Sequence, residues 1–588
     1  EDELTEGSQD AIIIQISSGG ETVIREILGG KGIAMMNSAF KVGDLQFSAA
    51  YGSKVYQLPF QIQLRDFIAE KYPGTEKGYA SFMSKISVKD ERPFDYDIYM
   101  NHILDHKGYR FFQASFDPDD KGTVLSVNHD AWGTRITYAG YFLLYFGLMA
   151  LMFFGKTRFR EMVKSLDNLK HKKATMVALA LIIGTSQLWS QDSLSADHQH
   201  SGPTQLQIDS ILKATAVSEE HAARFGKLVI QDDGGRMKPM NTFASEILRK
   251  LRFKTSYNDL NADQIMLSMM LNPALWYNVQ FISLDKKKQN DSLRNIIGVP
   301  KGQEYVKATD FFDAKGNYKL SEYVQEAYAT NTPNKFQQDF KDIDLRLGLL
   351  NRALSGEIIK IFPLLNDDNN KWISAVEYRS GKFVVGDTLY SNFIKNAVPF
   401  YLLSVQNGME KGDYSEANKL LEAFHQNQVN HGSEVLPSDK KVETEVLYNK
   451  LDIFNRLYKY YALIGILMFF VLIFRIFKDR RIWDIATYFF TGIIYIFFIW
   501  HTAGLILRWY ISGHAPWSDA YESILYVSWA AMGMGLLMSR KSKLTLAASA
   551  FVTAMLLWIA HQSWVDPSIA NLVPVLDSYW LMIHVAVI

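Results

Sequence analysis

The chain reads RWYISGHAPWSDAYES from Arg508 to Ser523, between two long apolar runs, and LDSYWLMIHV from Leu576 to Val585, one predicted helical hairpin later. Histidine and tryptophan are amphipathic side chains that favour the boundary between a bilayer and water. Both stretches are therefore predicted to lie where membrane helices meet water. Because one helical hairpin separates them, both are predicted on the same side of the bilayer.

Apolar runs along the chain predict a multi-pass membrane protein, since about 20 apolar residues cross roughly 30 Å of hydrocarbon. The run from Ala174 to Trp189 has two interpretations. Its basic flank, short apolar core and following small residues are typical of a signal peptide, whereas its internal position favours a short membrane span. The other predicted spans lie at 136–154, 457–474, 483–500, 521–538 and 544–561, with a further span starting near Tyr579.

The first polar block, residues 1–135, has the residue pattern of β-strands. Phe60, Ile62 and Leu64 alternate with polar residues, and Tyr96 and Ile98 do the same. Period-two patterning broken by glycine pairs is typical of a half-buried antiparallel sheet or sandwich.

The second polar block, residues 191–452, is predicted to be mainly helical. Apolar residues recur at helical spacing from Lys335 to Leu354, and again from Phe243 to Leu251. Asn241 or Thr242 is a candidate N-cap for the helix that begins at Phe243, since short polar side chains cap orphan backbone amides.

Basic loops set the predicted orientation, because positively charged loops stay on the cytoplasmic side. The loops 156–173, 475–481 and 540–543 are basic, whereas 501–520 and 562–578 together contain one base, Arg508. Both polar blocks and both histidine-bearing loops are then extracytoplasmic. The predicted domains are a β-rich domain at 1–135, two membrane helices at 136–190, a mainly helical domain at 191–452, and a membrane region at 453–588.

Composition excludes several classes of function. The 62 basic and 62 acidic residues cancel, which gives no case for a nucleic-acid partner. The chain has no cysteine, which excludes a disulfide framework, a thiolate metal site and a redox-active CxxC pair. Any thiol chemistry must use the thiols of a partner. The chain begins Glu1-Asp2-Glu3 and stops at Ile588 within an apolar run, so we expect it to be part of a longer polypeptide.

The predicted spans carry no ionisable residue near their centres, which argues against an ion-coupled transporter. No GxxxxGK[ST] loop is present, which argues against ATP-driven work. Of the thirteen histidines, most lack metal-ligand spacing and are predicted to be ordinary surface residues, among them His221.

Four histidines lie near the predicted outer interface: His501, His514, His561 and His584. His501 and His561 are predicted to be ordinary interface residues. His514 lies on a loop stiffened by Pro516, and His584 lies one turn into an apolar helix beside Trp580. Buried imidazole costs free energy unless it is bonded or ligated, and neutral imidazole is a good axial ligand for haem iron. A haem ligand and a structural histidine both remain open for His584.

At these residues the sequence resembles a known family. The run from Gly513 to Ser523, with the run from Leu572 to Val585, resembles the CcsA-like half of System II cytochrome c synthases. The run from Gly108 to Asp119, followed by Ser126-Val127-Asn128, resembles the end of a ResB-like (CcsB) subunit. The presence of both patterns in one chain, in this order, is similar to the fused CcsBA type. The resemblance implies further segments at both ends, among them a tryptophan-rich haem-binding loop.

This resemblance implies cytochrome c biogenesis in the cytoplasmic (inner) membrane, with the large domains on the periplasmic side. Such proteins carry haem b to the outer face and join it by thioether bonds to the CxxCH motif of apocytochrome c, acting as haem–apocytochrome c ligases. Apocytochrome c, haem, the lipid bilayer and thiol-reducing proteins that keep apocytochrome reduced are the implied partners. His584 carries over as an axial ligand of the haem iron. The residues implied to shape the haem-binding region with it are Trp580, His514, Trp517, Tyr521 and Glu522.

Two rival functions remain. A non-catalytic assembly scaffold would dock apocytochrome and haem while another protein forms the bonds. A small-molecule transporter would need ionisable groups that the predicted spans lack.

Overall fold

A computed structural model describes residues 10–30, 38–153, 205–284, 291–330, 332–478, 480–540, 542–562 and 564–574. The predicted span 174–189 and the residues Trp580 and His584 lie outside these ranges. The chain divides into two compact units. One comprises Glu1–Phe67, Ser84–Ile98 and Ser115–Val124, and the other comprises Ile68–Met83, Tyr99–Ala114 and Leu125–Ile588.

The first polar block folds into antiparallel strands, as the alternating pattern predicted. They form the hairpins β1–β2 and β3–β4 and two three-stranded sheets with the orders β5-β6-β7 and β10-β9-β8. The strands are β1 Asp10–Ser18, β2 Glu21–Gly29, β3 Ser38–Val42, β4 Leu45–Ala49, β5 Gln61–Lys71, β6 Tyr79–Lys89, β7 Phe94–Tyr99, β8 Leu104–His106, β9 Tyr109–Phe116 and β10 Thr123–Asn128. A long apolar helix, α1 Ala131–Phe153, follows them.

The described part of the second polar block is helical with three short antiparallel strand pairs, of which β11–β12 and β15–β16 are hairpins. The pairs are β11 Val229–Gln231 with β12 Met237–Pro239, β13 Ile282–Ser283 with β14 Tyr305–Val306, and β15 Phe362–Pro363 with β16 Trp372–Ile373. The helices are α2 Gln205–Ala214, α3 Glu219–Phe225, α4 Met240–Arg252, α5 Ala262–Leu271, α6 Pro273–Trp276, α7 Asp291–Ile297, α8 Ser321–Ala329, α9 Lys335–Ser355, α10 Ala375–Arg379, α11 Thr388–Lys411, α12 Ser415–Gly432 and α13 Asp439–Leu451.

One apolar core holds this helical part together, with Trp276 and Phe281 packed edge to face at 5.1 Å between ring centroids. His221 belongs to that core, so its predicted surface position is wrong. Its side chain is buried because Asn418 and Tyr401 satisfy its ring nitrogens at 2.8 and 3.0 Å. Burial lowers the pKa of His221.

Four long helices form the end of the described chain: α14 Ile453–Phe477, α15 Arg481–Ser512, α16 Ala520–Met538 and α17 Lys543–His561. By length and composition, three helices in the described part of the chain can cross a membrane: Asp439–Phe477, Arg481–Ser512 and Lys543–His561. They contain the predicted spans 457–474, 483–500 and 544–561. The predicted spans at 136–154 and 521–538 are covered by α1 and α16, and their crossing of the membrane stays a prediction. The described part of the chain thus combines a β-sheet region, a helical region and three helices that are long and apolar enough to span a membrane.

Candidate functional site

The loop that carries His514 is shorter than the sequence suggested. Residues 501–520 were predicted as a loop, but α15 continues to Ser512 and ends at Gly513, whose φ is +82°. The backbone amide of Gly513 donates to the Trp509 carbonyl at 2.9 Å. The helix persists through polar residues because their side chains find partners inside the protein, as Arg508 shows.

The guanidinium of Arg508 is fully buried at the end of α15. Its Nε donates to Glu522 Oε1 at 2.8 Å, and its Nη1 and Nη2 donate to the carbonyls of Pro567 and Ser568 at 3.0 and 3.4 Å. The guanidinium carbon lies 5.0 Å from the ring centroid of Tyr521. This one cation therefore joins α15, the first turn of α16 and the chain segment that follows α17.

The carboxylate of Glu522 is also fully buried, and its second oxygen contacts residues of the loop 513–519. Its Oε2 accepts from the Ser518 amide at 3.0 Å and lies 3.7 Å from Nδ1 of His514. Asp519 caps the same helix by accepting from the Glu522 amide at 2.7 Å. Burial, and next the nearby Glu522 carboxylate, raise the pKa of Asp519.

His514 has a defined ring orientation. Its Nδ1 lies 3.2 Å from the Ala515 carbonyl, which can only accept, so in the neutral ring Nδ1 carries the proton and Nε2 carries a lone pair. Nε2 is buried and has no hydrogen-bond partner within the described part of the chain. An imidazole held through one nitrogen, with a free lone pair on the other, is the form that binds a metal or accepts a proton.

Trp517 lies on the same loop as His514, and Tyr521 lies in the first turn of α16 that follows it. The ring of Trp517 packs on Tyr526 at 4.9 Å, and Tyr526 stacks on Trp529 at 5.9 Å. The indole of Trp529 donates to Thr502 on α15 at 2.9 Å. The aromatic side of the loop is thereby fixed to both flanking helices.

His501 lies within α15 and not at a helix end or in a loop, where the sequence analysis placed it. It is fully buried on α15, with its ring 5.5 Å from that of Phe454 and 6.2 Å from that of Tyr461. Among the described residues neither ring nitrogen has a hydrogen-bond partner, and the Tyr461 hydroxyl has none either. Sequence spacing could have indicated that His501 is buried. It precedes Arg508 by seven residues and therefore lies on the same face of a helix.

The segment 564–574 leads toward the predicted haem ligand and has no helix or strand of its own. Besides Arg508, the side chain of Asn571 fixes it by donating to the Gly234 carbonyl at 2.8 Å. The predicted site residues Trp580 and His584 follow it outside the described residues. Within the described ranges, no group of three or more His, Asp or Glu residues could hold a metal ion.

The residues that follow Gly234 form a second polar cluster. Arg236 donates to Glu445 on α13 at 2.8 Å, and Lys238 donates to Glu246 on α4 at 2.7 Å. All four side chains are buried. Because α13 is the first part of the candidate membrane-spanning stretch Asp439–Phe477, the Arg236–Glu445 pair fixes the β11–β12 hairpin to that stretch.

This chain is similar in sequence to several known proteins. Protein NrfI of Wolinella succinogenes is 35% identical over 555 residues, which is 93% of this chain and 58% of that protein. Proteins named cytochrome c biogenesis protein CcsA are 40% identical in Prochlorococcus marinus (strain MIT 9303) and 44% in Synechococcus sp. (strain CC9605). Each match spans 91 residues, 15% of this chain and 29% or 30% of the relative.

The chain therefore spans little more than half the length of protein NrfI. The sequence pattern of the ResB-like family matches residues 19–517, from the first hairpin through the helical region to the loop of His514. A match over most of the chain decides the assignment: the chain belongs to the ResB-like family.

Proposed function

We propose that this protein acts in cytochrome c biogenesis of the System II kind, by presenting haem at the outer membrane face and attaching it to apocytochrome c. The relatives named above support the process. The observation that carries the proposal is the Arg508–Glu522–His514 cluster. It holds one imidazole with a free Nε2 and fixes the segment that leads to His584.

In this proposal His584 supplies an axial ligand to the haem iron, and Trp580 packs beside the porphyrin. His514 fits a neighbouring role, because its free Nε2 can meet the haem or its reacting groups while Glu522 stays behind Nδ1. Trp517 and Tyr521 keep the loop rigid and apolar, which excludes water from a bound porphyrin.

The attachment itself needs no oxidant. The S–H of an apocytochrome cysteine adds across a haem vinyl C=C, so that sulfur bonds to one carbon and the proton goes to the other. The zero-cysteine composition suits such an enzyme, since both thiols come from the substrate and none of its own can compete. Haem b is the proposed cargo, and thiol-reducing proteins that keep the apocytochrome cysteines reduced are proposed partners.

The proposed location is the inner membrane, with the β-sheet and helical regions on the periplasmic side. Its support is the charge of the connections between helices. The α16–α17 connection contains Arg540 and Lys541, whereas the α15–α16 loop at 513–519 contains no Lys or Arg. Haem would then be held on the side where cytochromes c are assembled.

The test is an absorption spectrum of the detergent-purified protein, wild type beside His584→Gly, with and without added imidazole. We expect a haem spectrum in the wild type that is lost or altered in the variant and restored by imidazole, because free imidazole can replace the missing ligand. His431→Gly is the control, since His431 is an exposed residue near the end of α12 and should leave the spectrum unchanged.

A second measurement separates ligase from scaffold. Haem-dependent loss of apocytochrome thiols in the presence of the wild type supports the ligase. Bound haem without thiol loss would favour the assembly scaffold, and no haem in either protein would reject the haem-binding site.

A further inference from the structure

The β5–β6 hairpin ends in a tight turn that is docked into another part of the chain. We call residues 72–78 the tip. Tyr72-Pro73-Gly74-Thr75 is a type II turn by its sequence, its Gly74 φ of +72°, and the Thr75 amide that donates to the Tyr72 carbonyl at 3.1 Å. The Thr75 hydroxyl donates to the Tyr72 carbonyl at 2.7 Å, so the turn is rigid before it meets anything else.

Two further hairpin turns receive the tip, and both belong to the helical region. The first joins β11 to β12 and contains Gly235, and the second joins β15 to β16 and contains Asn369. The Gly74 amide donates to the Asn369 carbonyl at 2.6 Å, and the Asn369 side chain donates to the Thr75 carbonyl at 2.8 Å. We call these two turns, with Gln231, the docking site.

Gln231 is the buried centre of the docking site, with 2% of its surface exposed. Its Nε2 donates to the Pro73 carbonyl at 3.2 Å and to the Asn370 carbonyl at 3.0 Å. Its Oε1 accepts from the Trp372 amide at 2.7 Å. One amide side chain therefore connects the tip to β16.

Glycine is required on both sides of this contact. A Cβ on Gly235, whose φ is +79°, would lie 2.4 Å from the Pro73 carbonyl oxygen and 2.8 Å from Thr75 Cγ2. A Cβ on Gly74 would lie 2.2 Å from Gln231 Oε1. A larger residue at Gly235 requires the tip to move away, and one at Gly74 requires the Gln231 side chain or the tip to move.

The tip also reaches the segment 564–574. The Tyr72 hydroxyl donates to the Leu572 carbonyl at 2.7 Å. On the neighbouring turn, the Gly234 carbonyl accepts from Asn571 at 2.8 Å. Ile569 and Leu572 are themselves buried, so this segment is held by both the tip and the docking site.

We propose that docking of the tip is a built interface whose task is to fix the segment 564–574. The partner that the docking site accepts is a tight turn with glycine in the left-handed conformation, and the chain supplies it from its β-rich region. The proposal of an interface depends only on the contacts described above. Its consequence for haem, namely that the β5–β6 hairpin positions the chain just before His584, rests on the proposed function.

The test compares glycines of equal backbone conformation in the detergent-purified full chain. Gly235→Ala introduces the clash, whereas Gly381→Ala has the same φ of +79° with no atom within 4 Å of its Cβ. Gly74→Ala and Gly412→Ala form a second such pair, with φ of +72° and +70°. Any difference within a pair reports the contact and not the backbone strain.

Hydrogen exchange followed by mass spectrometry is the readout. We expect amides of the tip and of 564–574 to exchange about tenfold faster in Gly235→Ala and Gly74→Ala than in their controls, while peptides of α17 stay unchanged. Tyr72→Phe is a milder variant that removes one hydroxyl, and should speed exchange in 564–574 alone. Equal exchange within both pairs, or faster exchange throughout the chain, would overturn the interface.

The haem spectrum of the same variants tests the consequence separately. An altered spectrum in Gly235→Ala but not in Gly381→Ala supports positioning of the haem-handling segment. An unchanged spectrum rejects that role. It does not bear on the interface itself, which the hydrogen-exchange measurement tests. Absence of haem from the wild type rejects the proposed function and not the interface.

Discussion

Arg508 is a charged side chain in an apolar helix, and its neighbours explain why it is tolerated there. A buried guanidinium is stable only when its donors meet acceptors and its charge meets a carboxylate. Glu522 supplies one of these partners from α16, and Pro567 and Ser568 supply the others from the segment after α17. The pair thus specifies how α15, α16 and the following segment fit together.

The first prediction concerns that ion pair. Arg508→Met leaves the Glu522 carboxylate buried without its cation, so we expect a loss of roughly 3–5 kcal/mol in stability. The double variant Arg508→Met/Glu522→Gln removes the uncompensated charge and should recover part of this loss. Stability is measured as the midpoint of thermal unfolding in detergent.

Arg475→Met is the matched control for Arg508→Met. Arg475 pairs with Asp484 at 2.6 Å, but both side chains are more than a third exposed, so its loss should cost at most about 1 kcal/mol. Equal midpoints for the two single variants would show that the buried pair contributes no more than a surface pair.

Single residues of this site were predictable only in part. His514, Trp517 and Glu522 were expected to share a loop, and the structure brings His514 and Glu522 together. Arg508 was taken for a loop residue and His501 for an interface residue. Hydropathy cannot show that a polar side chain ends in a protein interior, because its partners lie on other elements.

At the scale of elements, helices α14 and α17 approach closely through small residues. A Cβ added to Gly465 would lie 3.2 Å from Ala550 Cβ and 3.3 Å from the Ala547 carbonyl oxygen. Between membrane helices such close packing replaces the hydrophobic effect as the main attraction. The absence of a side chain at position 465 therefore allows the close distance between α14 and α17.

Gly465→Val should push α14 and α17 apart and lower the unfolding midpoint in detergent. Gly492→Val is the control, since Gly492 also lies inside a membrane-spanning helix but has no atom within 4 Å of its added Cβ. Both variants introduce the same β-branched residue, so the difference between them isolates packing. A midpoint for Gly465→Val no lower than that of the control would contradict this account of the helix pair.

Element types followed the sequence pattern well, whereas two helix boundaries did not: the end of α15 and the start of α4. The strands β5 and β7 and the helix α9 lie where period and spacing predicted them. The cap of α4 was predicted at Asn241 or Thr242, but the helix begins at Met240. Those two side chains instead bond to Asp263 and Glu445, partners that local sequence cannot reveal.

At the scale of the whole molecule, alternating apolar runs and polar blocks indicated the membrane and polar regions. They did not indicate that residues 68–83 and 99–114 would group with the larger unit. The reason is visible at the tip, whose partners Gln231 and Asn369 are more than 150 residues away along the chain. A local pattern predicts an element, and long-range contacts decide which unit it joins.

The orientation of the whole chain is the last prediction. Because the sequence contains no cysteine, one introduced thiol is the only thiol present, and a membrane-impermeant maleimide reports its side of the membrane. In spheroplasts we expect labelling of Leu389→Cys and Trp564→Cys, which replace residues 83% and 66% exposed. Lys478→Cys and Arg540→Cys replace exposed bases in the connections after α14 and α16, and should be labelled only after lysis. The reverse pattern would put the His514 loop in the cytoplasm, on the wrong side for apocytochrome, and would remove the basis for haem attachment there.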